Sequence, residues 1–249
     1  MATLKNTIIN DTGYLQLPSG TTAQRPVSPS AGYTRWNTTE EYMEVYDGTA
    51  WVNIGGTNQS TPVLSGLIYY IDAGITTSYN GGTTANDISG NNGSLTLYNG
   101  PTYNSGGKFI QFDGNNDYAL TSTISGYKSL FFAFNRQGSG GYIGDARTES
   151  PGGWLWNTNF GPDWNLGYVN GTSVGSALQS STTSIPNNQW STLYVQNTGV
   201  RTGDIYLWSR YTVEEYCPAQ LGAVLAYNRD LSAAEILENH NHFSSIYSI

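Results

Sequence analysis

The chain has 249 residues, of which only 11% are charged, and its 18 acidic against 10 basic side chains leave a net charge of -8. That balance provides no basic surface to neutralise a phosphate backbone, which argues against nucleic acid and anionic membranes as partners. Cys217 is the single cysteine, so no intrachain disulfide can form, and no Cys/His cluster has the spacing of a zinc site. With 30 glycines and 19 tyrosines, and with abundant Ser, Thr and Asn, the composition predicts an all-β fold of many strands joined by tight turns.

The opening residues MATLKNTIIN lack the apolar core of a signal peptide, and no run approaches the roughly 18 apolar residues of a membrane span. Neither export by a leader nor membrane insertion is expected. The run Leu15–Ser30, LQLPSGTTAQRPVSPS, carries Pro26 and Pro29, which disfavour helix and predict an extended arm laid over a neighbour. Tyr42, Val45 and Tyr46 precede Asp47-Gly48, and Trp51, Val52 and Ile54 follow it, the pattern of a β-hairpin. Tyr33–Asn37 supplies a third strand. A segment of this size with so few aliphatic residues cannot easily build an independent core, so residues 1–56 read as an attachment and oligomerisation element. The Gly/Ser/Thr/Asn-rich stretch that follows, with Pro62, predicts a linker over residues 57–63.

From residue 64 to 249, short apolar runs recur between Gly/Asn turns: Leu67–Ile71, Phe109–Phe112, Leu130–Phe134, Leu193–Val195, Ile205–Trp208 and Leu221–Tyr227. This spacing predicts a two-sheet sandwich. Ser232 with Glu235 makes a capping box, and Leu231 with Ile236 the matching hydrophobic staple, so one short helix is expected to start there.

Three motifs in this region resemble the laminin-G-like members of the concanavalin A-like lectin/glucanase superfamily. Gly66–Ala73 followed by Asp87–Gly93 is similar to the family's opening strand and its D-x-S-G-N-x-G turn. Phe109–Tyr118 resembles its F-D-G-x-x-D-Y hairpin, and Ala226–Ile236 its closing strand and helix start. The resemblance implies a jelly-roll β-sandwich, with the capped helix sealing one end. In the N-terminal segment, Leu15–Pro26, Gly32–Asn37 and Glu44–Trp51 resemble a repeat element of fibre, spike and capsid-decoration proteins of tailed phages, especially cyanophages. That second resemblance implies a virion protein, commonly a trimer.

The superfamily includes glucanases, whose catalytic strand carries an E-x-D-x-x-E type carboxylate set on one face. No such set occurs here. Glu41 and Glu44, and the adjacent Glu214 and Glu215, fall on opposite strand faces and read as exposed surface carboxylates. Gly171-Thr172-Ser173-Val174-Gly175, with Asp204 and His240 following, matches a nucleophile-elbow pattern, but its surroundings lack the strand-turn-helix setting that the motif needs. His240 falls on the apolar face of the predicted helix and reads as a packed histidine. Many laminin-G-like domains bind Ca2+, and Asp72, Asp87, Asp113, Asp117 and Asp145 offer oxygen ligands, although the same residues make Asx turns and no ligand set can be assigned.

Tyr142, Trp154, Trp156, Phe160, Trp164 and Tyr168 form a Gly-interrupted aromatic group. Aromatic faces beside flexible turns can stack on sugar rings, which makes Tyr142, Trp154, Trp156, Trp164 and Tyr168 carbohydrate-binding candidates. Core packing competes, most strongly for Trp154 and Trp156, which share one strand face. Together these readings describe a non-enzymatic, homo-oligomeric structural protein on the exterior of a phage particle. It would dock on other virion proteins through its N-terminal segment and offer its sandwich to host-surface glycan. A dedicated tail-tip receptor-binding protein, a polysaccharide-degrading enzyme and a bacterial surface lectin are the alternatives.

Overall fold

The computed structural model describes residues 16–40, 42–54, 61–138, 140–147, 152–156, 159–175 and 185–249. The chain divides into two compact units, Met1–Gln59 and Ser60–Ile249.

The first unit is a four-stranded sheet in the order β1-β2-β3-β4, formed by β1 (Ser19–Gly20), β2 (Thr34–Asn37), β3 (Tyr42–Tyr46) and β4 (Trp51–Asn53). The β3–β4 turn is closed by Asp47, whose Oδ1 accepts the backbone N–H groups of Thr49 and Ala50. The described residues before β2, 16–33, do not form an extended arm. They fold back on the unit's own sheet: β1 pairs in parallel with β2, and Thr22–Gln24 make a 3-10 turn.

Polar groups hold that return in place. Glu44 is fully buried, not exposed as the sequence predicts; it accepts hydrogen bonds from Arg25 Nη2 at 2.6 Å and Asn37 Nδ2 at 3.0 Å, with Arg35 Nε at 3.5 Å. Arg35, Asn37 and Glu44 are the only buried residues among those described in this unit. The strand alternation therefore turns Trp36, Met43, Val45 and Val52, which are cross-strand neighbours, to the opposite face. On that side Trp36 is 40% and Val52 39% exposed.

The second unit is a β-sandwich. Its strands are β5 (Leu67–Asp72), β6 (Thr84–Asn86), β7 (Ser94–Tyr98), β8 (Thr102–Asn104), β9 (Phe109–Phe112), β10 (Tyr118–Thr121), β11 (Ile124–Arg136) and β12 (Tyr142–Asp145). They continue as β13 (Trp154–Trp156), β14 (Trp164–Val169), β15 (Thr172–Gly175), β16 (Trp190–Gly203), β17 (Tyr206–Leu207) and β18 (Ala219–Tyr227). One sheet has the order β13-β12-β17-β10-β7-β6; the other runs β15-β14-β16-β11-β18-β9-β8, with β5 also paired to β18. All six apolar runs of the sequence lie in these strands or overlap them. The all-β fold class holds.

Between the sheets lies the main core, in which Leu130, Phe132, Phe134, Leu193, Val195 and Val224 meet Leu95, Leu97, Ala119, Ile143, Leu155 and Leu207. The alternate residues of the same central strands, Phe131, Ala133, Tyr194, Ala223, Leu225 and Tyr227, are buried as well, in a second cluster with Ile236, Phe243 and Tyr247 of helix α1 (Ala233–Tyr247). Both faces of β11 and β18 are covered, which is why their sequences read as near-continuous apolar runs.

Two expectations are corrected here. Helix α1 spans 15 residues and lies over the outer face of the larger sheet; it does not seal an end, because the apolar outer face of β11, β16 and β18 must be buried against something. Nor do β9 and β10 form a hairpin, since they belong to different sheets. Asp113 and Asp117 instead make the corner at which the chain crosses between them. Asp113 Oδ1 accepts the N–H of Asn115 at 2.8 Å, and Asp117 Oδ2 that of Asp113 at 3.1 Å. Gly114 is required there: its φ is +76°, and a Cβ would stand 2.5 Å from Pro218.

Candidate functional site

The site lies at one edge of the six-stranded sheet, on its outer side. Strand β13 is the edge strand and pairs with β12, Tyr142 opposite Trp156 and Asp145 opposite Trp154. Leu155 is fully buried, so alternation sends Trp154 and Trp156 outward together, both half-buried. Tyr142 packs edge-to-face against Trp156, with centroids 4.6 Å apart and planes at 86°. Together with Arg147, Asn159 and Glu215 these three rings line an open depression of about 400 Å³.

A fixed ion pair forms its floor. Asp145 is fully buried, and Arg147 grips it through Nε (3.0 Å to Oδ1) and Nη2 (2.6 Å to Oδ2). The carboxylate also accepts the backbone N–H groups of Arg147 and Tyr211. The guanidinium lies over the Tyr142 ring at 4.9 Å and the Tyr211 ring at 5.2 Å, so both aromatics help hold it. The hydrogen bonds to Asp145 raise the Arg147 pKa above its usual value against the cost of burial. Burial raises the Tyr142 hydroxyl, opposed by Arg147. Tyr142 is thus a neutral phenol fixed on a rigid strand.

Of the five aromatic candidates, Tyr142, Trp154 and Trp156 converge on this depression, and Trp164 and Tyr168 do not. Trp164 is 2% exposed and packed in the main core, leaving no ring face for a ligand. Tyr168 packs against Tyr194 in the cluster beneath helix α1, on the other sheet. The core reading of Trp154 and Trp156 is likewise corrected: the face that they share points out, because Leu155 takes the inward position.

Arg147, Asn159 and Glu215 were not legible as site residues. The Asp-x-Arg spacing of Asp145 and Arg147, which suits a local ion pair, is the only sequence signal. Further along the same sheet, Tyr98 and Tyr118 stack at 4.6 Å and 6°, and Tyr206 joins them at 6.2 Å and 22°. These rings spend their faces on one another, as cross-strand pairs do, and offer no platform comparable to the tryptophans.

The other candidates are placed apart from this site. Thr172–Gly175 is the second strand of a hairpin whose turn, Asn170-Gly171, has φ of +49° and +72°. His240 is half-buried, with its Nδ1 2.9 Å from Thr192 Oγ1, while Asp204 accepts a hydrogen bond from Thr123. Ser173, Asp204 and His240 therefore do not make a triad. Of the five aspartates, Asp87 accepts the N–H groups of Tyr70 and Ser89, and Asp72 accepts the Tyr70 hydroxyl. Asp113 and Asp117 shape the crossover corner, and Asp145 holds Arg147. Among the described residues no three His, Cys, Asp or Glu side chains converge to hold a metal ion.

No family model matches the chain, and no curated protein is significantly similar to it. Among solved structures it is similar to Trypanosoma rangeli sialidase in complex with sialic acid, at 14% identity and a TM-score of 0.49, over 88% of this chain and 45% of that one. It is also similar to domain 4 of AbnA, an extracellular arabinanase from Geobacillus stearothermophilus in complex with arabinotriose, at 14% identity and a TM-score of 0.40, over 70% and 98%. A third is the receptor binding domain of botulinum neurotoxin C/D mosaic serotype, at 12% identity and a TM-score of 0.39, over 72% and 51%. This chain spans less than half the length of the sialidase. Likeness at these levels carries no activity or ligand across.

Proposed function

We propose that the second unit binds glycan through the depression formed by Tyr142, Trp154 and Trp156, and that it acts by binding alone. The observation that carries this reading is the outward pair of indoles on a rigid edge strand, beside a phenol held by the Arg147–Asp145 pair. Such rings offer apolar faces to the C–H side of a sugar, and Asn159 and Glu215 offer hydrogen-bonding groups to its hydroxyls. The carboxylates at the site support a role without catalysis. Glycoside hydrolysis ordinarily uses two carboxyl groups flanking the bond, whereas of the two described carboxylates at this site, Asp145 is committed to Arg147 and only Glu215 faces the depression unpaired.

The setting we propose is the exterior of a phage particle, with the first unit as the attachment and oligomerisation element and a laminin-G-like sandwich displayed outward. The face of the four-stranded sheet that carries Trp36, Met43, Val45 and Val52 supports self-association: Trp36 and Val52 are left exposed on it, while Arg35, Asn37 and Glu44 are buried on the other side. Several weak sites held in one trimer would bind a glycan-bearing surface far more tightly than one.

Glycan-array binding by the full-length chain tests the glycan reading. Saturable signal is expected on at least one glycan class, reduced tenfold or more by Trp156→Ala or Trp154→Ala. A chain that binds no glycan, or whose binding ignores both substitutions, would sink it. A reducing-end assay on the bound glycan should show no release.

A further inference from the structure

Resting on the glycan reading, we infer that this depression takes a neutral or amine-bearing sugar and rejects carboxylated ones, and that Glu215 sets the choice. Among the described residues that line the site, the one cation is Arg147, and it is already spent. Arg147 turns its Nε and Nη2 toward Asp145, the fork that would otherwise grip a ligand carboxylate, and its guanidinium lies over the Tyr142 and Tyr211 rings. The pair is neutral as a unit, so Arg147 offers little to an anion.

The neighbouring acids are sorted by the loop between β17 and β18. Glu214 accepts Arg210 Nη1 at 3.0 Å and the Thr212 hydroxyl at 2.6 Å, which ties it to its own turn. Glu215 follows in a left-handed conformation, φ +54°, as does Val213 at +59°, a conformation that costs a side-chain-bearing residue energy and so must be imposed by its surroundings. The turn is imposed by Val213 N–H to Arg210 O at 2.9 Å, Arg210 N–H to Glu214 O at 2.8 Å and the Tyr216 hydroxyl to Val213 O at 2.9 Å. The result directs Glu215 onto the depression, where among the described residues its carboxylate has no hydrogen-bond or ion-pair partner.

An unpaired carboxylate beside an aromatic wall accepts charge-assisted hydrogen bonds from sugar hydroxyls. It adds an ion pair when the sugar carries a protonated amine, and it repels a sugar that carries its own carboxylate. Specificity here is therefore as much exclusion as attraction.

The test is full-length chain on an array holding neutral, free-amine and carboxylated glycans, with Glu215→Gln, Trp156→Ala and, as a control for overall charge, Glu238→Gln on the exposed side of helix α1. Glu215 is exposed, so its substitution leaves the fold intact. Wild type is expected to bind neutral or free-amine glycans at least tenfold more tightly than carboxylated ones. Glu215→Gln should narrow that gap about tenfold, and Glu238→Gln should leave it unchanged. Trp156-dependent binding that favours carboxylated glycans, or a preference that Glu215→Gln does not move or Glu238→Gln moves equally, would overturn the inference while sparing the glycan reading. Loss of all binding classes, or binding indifferent to Trp156→Ala, would overturn both.

Discussion

At the scale of single residues, buried polar groups carry the sharpest consequences. Glu44 is wholly enclosed, and although burial alone would raise its pKa, the hydrogen bonds from Arg25 and Asn37 leave it below the usual carboxylate range. Replacing it with Gln strands Arg35, which is 6% exposed, without its counter-charge. Breaking a buried pair on one side costs on the order of 3 kcal/mol, enough to unravel so small a sheet. Hydrogen exchange should show protection lost in β2 and β3 and retained in β11 and β18. His242 is the second case. The residue is 7% exposed, neither ring nitrogen is hydrogen-bonded among the described residues, and burial pushes its pKa down to about 4 from an ordinary 6.5. The unfolded chain therefore takes up a proton that the folded one refuses, so stability is full above about pH 6.5 and is lost as pH falls toward 4. Urea melts at pH 7 and pH 4.5 should show His242→Leu losing less stability between the two than wild type; equal losses would exclude His242 as the titrating group.

At the scale of elements, helix α1 is placed by both of its ends. Ser232 accepts the Glu235 N–H and Glu235 accepts the Ser232 N–H, while hydrogen bonds from Arg229 and then Ser232 pull the Glu235 carboxyl down to about 2. Ser232→Ala is expected to cost about 1 kcal/mol. The other end rests on a gap in the sheet. Opposite β11 the register of β18 passes from Ala223 to Leu221, so Gly222 is the extra residue of a bulge. A Cβ there would stand 2.5 Å from the Tyr247 ring. Gly222→Ala should therefore displace the end of the helix at a cost of roughly 1–3 kcal/mol, read as a lower Tm and a changed near-ultraviolet signal from Tyr247, which stacks on Trp190 at 3.9 Å.

At the scale of the whole molecule, the first unit buries Arg35, Asn37 and Glu44 on one face of its sheet and leaves Trp36 and Val52 of the other face exposed. A sheet built this way gains most by associating through the open face. Light scattering coupled to size-exclusion chromatography is expected to give a trimer for the full-length chain. Trp36→Asp with Val52→Lys should give a monomer whose sandwich unit melts unchanged. A monomeric wild type would remove self-association from the first unit's role and leave docking on a different protein.

The sequence alone determined the all-β class, the six apolar runs that lie in strands, the turn at Asp47 and the cap at Ser232. Each of these depends on local periodicity or on hydrogen bonds between residues a few positions apart, which is what a sequence displays directly. Aromatic candidates for the site were also legible, but not which of them face solvent. Alternation puts Trp154 and Trp156 on one side of a strand without saying which side, and it was the burial of Leu155 against the opposite sheet that decided it. The same holds for Trp164, claimed by the core, for Glu44, enclosed by an arm that folds back on its own sheet, and for Glu215, aimed by a left-handed turn. Inside and outside are properties of the packed layers, and only the tertiary structure could assign them.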